Sequence, residues 1–189
     1  LASKVDIAAL ELLFQVEPYL YRDDVKHALR SAFNALAANY YPDTRMAAEH
    51  ALPELGDWRG DHYKSPDEAN ACGWLRYLFV REDGDDLIVG QAVPESWLEP
   101  GRRCGVKGAM THFGAMSVVF EGGQDAITVH LDAPRRNPPE LIKLRLRTPA
   151  GRKLDLIDTC GPAWVAIDGD WVSLPGDCGK VTVTAKLAR

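Results

Sequence analysis

The chain has 189 residues, enough to bury a full core as one large or two small domains. Its composition, 46% hydrophobic and 26% charged, is that of an ordinary globular protein. A net charge of −5 with no concentrated basic stretch argues against a nucleic-acid or anionic-membrane partner, and no apolar run approaches the roughly 20 residues of a bilayer span. The chain opens at Leu1 with neither a methionine nor a signal-peptide layout, so it is expected to have been cut from something longer.

Residues 1–80 read as helical. Val5, Ala8, Leu12 and Val16 recur at helical spacing, and Pro18 is expected to stop that helix. A link from Glu17 to Tyr21 then leads to a second helix opening at Asp23 or Asp24. It sets Val25, Leu29, Phe33, Leu36 and Tyr40 on one side and closes before Pro42.

The stretch from Tyr41 to Lys64 reads as one long loop. Loops of that length are usually functional or disordered, and Tyr41, Leu52, Leu55, Trp58 and Tyr63 are too apolar for disorder. Glu49, His50, Glu54, Asp57, Asp61, His62 and Lys64 lie on it. Two carboxylates flanking a sugar are what glycoside hydrolysis needs, and His and Lys bond hydroxyls. The substrate-binding candidates are therefore His50, Glu54, Asp61, His62 and Lys64, with no residue assigned as catalytic acid or base. Asp57 and Asp61 each neighbour a glycine, where shaping a turn accounts for them equally well.

Ser65, Pro66 and Glu68 form a helix-start signature, which gives Ser65 and Glu68 a structural explanation. The helix that follows is apolar nearly all round through Gly73–Val80 and is expected to be buried on more than one side.

From Asp83 the period changes to two. Strands are expected at Leu87–Val89, Cys104–Lys107, Ala115–Glu121, Ala126–Leu131, Leu141–Arg147, Lys153–Asp158, Ala163–Ile167, Trp171–Leu174 and Lys180–Leu187. Glycine and proline turns separate them, which describes an antiparallel sandwich or jelly roll. Pro94–Leu98 reads as a short helical turn plugging the sandwich, and Asp168–Asp170 as a tight hairpin. Trp164 and Trp171 beside it suit the core, or alternatively a sugar face. The acid cluster Glu82, Asp83, Asp85 and Asp86 lacks a calcium-loop pattern and reads as a charged turn. Cys72, Cys104, Cys160 and Cys178 show no metal spacing and are expected as buried free thiols, although Cys160 and Cys178 could meet across strands. No metal or cofactor is expected, since P-loop, dinucleotide-binding and serine-elbow motifs are all missing.

"EHALPELGDWRGDHYKSPDEANACGWLRYLFVREDGDDLIVGQAVPESWLEPG" resembles the end of the catalytic barrel in bacterial glycoside-hydrolase-like proteins with an (α/α)6 toroid. "GVKGAMTHFGAMSVVFE" and "GKVTVTAKLAR" resemble the C-terminal β-sandwich appended to them. The resemblance implies an α+β chain with the last toroid helices over 1–82 and a sandwich over 83–189. It also implies a sugar-facing end at the candidates above. The expected function is the C-terminal portion of a glycoside hydrolase, inactive alone, with the sandwich buttressing the barrel. The alternatives are a non-catalytic carbohydrate-binding module and a structural interaction module. Expected partners are a carbohydrate and either the missing N-terminal helices or a second copy of the chain.

Overall fold

A computed structural model describes residues 16–41, 46–47, 50–52, 57–59, 65–161 and 165–188. The chain divides into two compact units, Leu1–Leu75 and Arg76–Arg189.

In the first unit, helix α1 (Val16–Tyr21) is joined to α2 (Val25–Asn39) by three residues only. The helix runs through Pro18, and its stop is a left-handed C-cap instead. Asp23 has φ 56, its N–H bonds Leu20 O at 3.0 Å, and Asp24 N–H bonds Tyr19 O at 2.8 Å. Asp24 then caps α2, accepting from His27 N at 3.3 Å, while its carboxylate meets His27 Nδ1 at 2.7 Å. The hydrogen bond from His27 holds the Asp24 carboxyl below its ordinary range. Tyr19 stacks on the same imidazole, 5.6 Å between ring centroids.

The buried stripe of α2 differs from the expected one. Val25, Ala28, Ala32 and Ala35 are buried, whereas Phe33 and Tyr40 are exposed and Leu29 and Leu36 only half-buried. Small side chains let a neighbouring backbone approach closely, which suits the alanine stripe to burial. Helix α3 (Ser65–Tyr77) starts at the expected signal, yet it buries one stripe, Ala71 and Trp74, and leaves Cys72 and Leu75 exposed. The expected burial on several sides is not found. The stretch read as one long loop contains two short antiparallel ribbons. β1 (Tyr40–Tyr41) pairs with β2 (Met46–Ala47), and β3 (His50–Leu52) with β4 (Asp57–Arg59). Pairing satisfies backbone groups that a bare loop would leave to water.

The second unit is a sandwich. One sheet has the order β12-β13-β10-β6-β5 and the other β11-β14-β9-β8-β7. The strands are β5 (Val80–Asp83), β6 (Asp86–Val89), β7 (Arg103–Thr111), β8 (Gly114–Gly122), β9 (Ala126–Asp132), β10 (Leu141–Arg145), β11 (Leu154–Cys160), β12 (Ala166–Asp168), β13 (Trp171–Pro175) and β14 (Lys180–Leu187). Val80–Asp83 is thus strand, not helix. β5 and β6 form a hairpin through the Asp83–Asp86 turn, so the period-two pattern begins just before that turn. β10 runs parallel to β6, the one parallel pair among the described strands. The chain reaches β10 only after three strands of the other sheet, and a long crossover permits parallel pairing where a hairpin does not.

Alternate residues from both sheets meet in one core, including Met116, Val118 and Phe120 of β8, Ile127 and Val129 of β9, Ile142 and Leu144 of β10, and Val181, Val183 and Ala185 of β14. The turn at Glu95–Leu98 is a 3-10 helix that puts Leu98 into this core, and Trp97 stacks on Phe79 at 6.1 Å. The turn fits because Gly122 lacks a side chain. A Cβ there would meet the carbonyl oxygens of Leu98 and Glu99 at 2.3 Å.

Three of the four acids in the cluster meet separate cations. Arg76 holds Glu82 in a two-pronged pair at 2.7 and 3.0 Å, and also donates to Met110 O at 2.9 Å. Arg81 faces Asp83 at 3.4 Å, and Lys143 meets Asp86 at 2.6 Å. Burial opposes ionisation of Glu82 more than any other single influence. The hydrogen bonds and charge of Arg76 together outweigh it, so the carboxyl lies below its ordinary range.

Gly122→Ala is expected to destabilise by about 1–3 kcal/mol, because the obstructing atoms are backbone; an unchanged Tm would refute this packing. Glu82→Gln should cost about 1–2 kcal/mol at pH 7 in urea unfolding. The folded carboxyl has the lower pKa. Its stabilisation is therefore complete above the unfolded value of about 4.3 and is lost as pH falls through the folded one. The gap between wild type and variant should narrow below about pH 4.3; a gap that stays constant in acid would contradict the ion pair.

Candidate functional site on the outer face of the second sheet

Among the residues expected to contact substrate, His50 lies in β3, in register with Arg59. Glu54, Asp61, His62 and Lys64 lie outside the described residues, as do Glu49 and Trp164. Trp171 packs beneath Arg145, whose guanidinium carbon sits 5.2 Å from the ring centroid while its Nε bonds Asp170 at 2.9 Å. One face of that indole is therefore occupied.

Polar side chains converge elsewhere, on the outer face of the sheet β11-β14-β9-β8-β7. With the core set turned inward, the intervening residues of each strand must face out. Register then aligns them in rows across the sheet. Lys180 lies opposite Asp132, and Asp132 opposite Ser117. At the end of that row β7 carries an irregularity between Val106 and Ala109 that contains Lys107 and Gly108. Gly108 adopts φ 63, and its N–H bonds Ser117 Oγ at 3.0 Å, which fastens the bulge to β8. The next row runs Cys160, Thr182, His130, Val119.

Together these two rows line an open groove of about 440 Å³. Val119, Leu131, Val181 and Cys160 line it together with hydroxyl, imidazole, carboxylate and ammonium groups. His130 Nδ1 lies 3.3 Å from Thr182 Oγ1, and its Nε2 lies 3.6 Å from Glu121. Glu121 is itself held by Arg103 Nε at 2.9 Å. Asp132 receives Arg135 at 3.3 Å on one oxygen and Lys180 at 4.0 Å on the other.

A carboxylate, an imidazole and a hydroxyl in sequence invite comparison with a proton relay. The 3.6 Å separation is too long for a hydrogen bond, and the imidazole and Glu121 are 49% and 43% exposed. Such groups present donors and acceptors to a ligand rather than activating a nucleophile. No group of three or more metal-capable side chains occurs among the described residues. The first unit carries a second concavity of about 470 Å³, lined by Leu36, Tyr40, Glu68, Ala71, Cys72 and Leu75 and mostly apolar.

The sheet groove is written in the sequence only as alternate polar residues on β8, β9 and β14. Which strands lie side by side is what brings those residues together, and period alone does not reveal it.

No family model and no curated protein matches the chain. Among solved structures, it is similar to Streptomyces avermitilis alpha-L-rhamnosidase complexed with L-rhamnose, at 11% identity and a TM-score of 0.47. The match covers 89% of this chain, which spans only 19% of that one.

All four cysteines are free, but Cys72 and Cys160 are exposed instead of buried as expected. Burial raises the Cys104 thiol, and burial, aided by the charge of Asp177, pushes Cys178 up to about 11. A thiol-reactive chromogen at pH 8 should therefore label two cysteines quickly, and four only after denaturation. Fast labelling of Cys178 would contradict its placement.

Proposed function

We propose that the chain is a glycoside-hydrolase-associated module, the C-terminal portion of a carbohydrate-active enzyme whose sandwich adds a glycan-binding face. The observation that carries this reading is the open groove on the second sheet. Ser117, Thr182 and His130 offer donors and acceptors at the spacing of adjacent strands, Asp132 offers an acceptor, and Val119 offers a small apolar platform. Sugars present this mixture, with hydroxyls around the ring edge and C–H groups on its face. An open groove admits one segment of a longer chain.

In the same reading the helices belong to a larger helical body. Support comes from α2, which buries alanines and leaves Phe33 exposed, and from the apolar concavity, at which exposed Tyr40 and Leu75 lie. His50, Glu54, Asp61, His62 and Lys64 remain the proposed wall of that body's sugar cleft, on the strength of the sequence alone.

A glycan array probed with the full chain, followed by titration of the best responder, tests the groove. His130→Ala and Thr182→Ala should each weaken binding about tenfold, equivalent to about 1.4 kcal/mol. Binding that ignores both changes and is abolished by Trp171→Ala would move the site to the other sheet. The absence of any glycan response would refute the reading.

A further inference from the structure

The charges around the groove do not cancel. Lys107 has no ion-pair partner among the described residues. Among the described residues, Asp132 is the single carboxylate lining the groove, and two cations, Arg135 and Lys180, share it. The nearer of them is Arg135, at 3.3 Å, so the 4.0 Å contact leaves much of the Lys180 charge uncompensated. Glu121, on the rim, is already matched by Arg103 at 2.9 Å. A chain with a net charge of −5 therefore has a concave surface with cations in excess.

Their placement is also specific. Lys180 of β14 and Lys107 of β7 end the same cross-strand row, with Asp132 and Ser117 between them. Three strand spacings put their Cα atoms roughly 14 Å apart. Two lysine side chains can close on one ligand unit across that distance. The bulge sets one side of this clamp, since Ser117 Oγ accepts the Gly108 N–H and leaves its own hydroxyl proton free for a ligand. The clamp stands beside the hydroxyl, imidazole and apolar groups of the next row, so a bare anion would use only part of it.

We infer that the groove takes an anionic saccharide, a hexuronate unit whose carboxylate is held by Lys107 and Lys180 while Ser117, His130 and Thr182 bond its hydroxyls. This rests on the glycan-binding reading above and names the class of glycan.

The test uses the full chain and tetrasaccharides of galacturonate, glucuronate and mannuronate, each beside its carboxyl-reduced neutral counterpart, with inorganic phosphate and sulfate as anion controls. At least one hexuronate tetrasaccharide should bind tenfold or more tighter than its reduced counterpart. Lys107→Ala and Lys180→Ala should each remove most of that difference, weakening the acidic sugar far more than the reduced one. Lys107→Arg should retain it, and raising salt from 50 to 300 mM should diminish it about threefold or more. Both lysines are exposed, so circular dichroism of the variants should match wild type. Equal binding of acidic and reduced sugars, or binding of neutral glycans alone, overturns the inference and leaves glycan binding standing. Phosphate or sulfate competing as well as the hexuronates do, unit for unit, overturns the saccharide assignment. No binding of any sugar removes both.

Discussion

The outer face of the second sheet is held in place by the inner one. Met116, Val118 and Phe120 of β8, Ile127 and Val129 of β9, and Val181, Val183 and Ala185 of β14 all enter a core shared with the opposing sheet. Side chains alternate along a strand, so a slip of one residue would carry every one of them into water. Exposing one such large side chain costs about 1.5–3 kcal/mol, and a slip exposes several together. The register is therefore secure, and with it the row Lys180, Asp132, Ser117 and the row Thr182, His130, Val119. The polar surface needs no stabilising interaction of its own to stay ordered. That is why half-exposed His130, with contacts of 3.3 and 3.6 Å, can remain available to a ligand.

How legible this was in the sequence depends on the range of the interaction concerned. Local chemistry was readable: the cap at Asp24, the start at Ser65, the turn at Glu95–Leu98, and the hairpin at Gly169-Asp170, where Asp168 faces Trp171. Strand positions were close, and Lys180–Leu187 matched from end to end. Non-local pairing was not readable. β14 settles between β9 and β11, and β10 between β13 and β6, although none of these neighbours is joined to it by a hairpin. Thr182 reaches His130 across 52 residues of chain. Reading along the chain drew attention to polar residues crowded together in sequence, from Glu49 to Lys64. The groove is assembled from polar residues sparsely spaced along four strands, and only their register makes them dense.

The helices show a different limit. On α2 two stripes share helical spacing, one of large apolar residues and one with three alanines, and hydropathy favours the large ones. The structure buries Val25, Ala28, Ala32 and Ala35. Alanine offers little area, but it costs no side-chain entropy and allows helices to approach closely. The consequence is that Phe33 and Tyr40 face outward, at 40% and 43% exposure, with Leu75 of α3 at 45%. Single exposed apolar side chains are ordinary on a protein surface. Tyr40 and Leu75 together at one mostly apolar concavity are less so, which makes the exposed set in this unit more informative than the buried one.

Net charge and local charge act at different distances, and the groove separates the two. A total of −5 describes the field well away from the surface, where it slows the approach of another anion. At physiological salt that field fades within about 8 Å, the same scale as the groove itself. Inside it, the balance is set by Lys107 and Lys180 against a single carboxylate already shared with Arg135. A polyanion with several charges on every unit would sense the repulsive surroundings over its whole length and gain little from two lysines. A short segment with one carboxylate and several hydroxyls would meet the cations and the hydrogen-bonding groups together and leave its neighbours in solvent. The arrangement thus favours charge presented sparsely on a hydroxylated scaffold over dense charge. That preference arises from the contrast between an acidic protein and a locally basic groove.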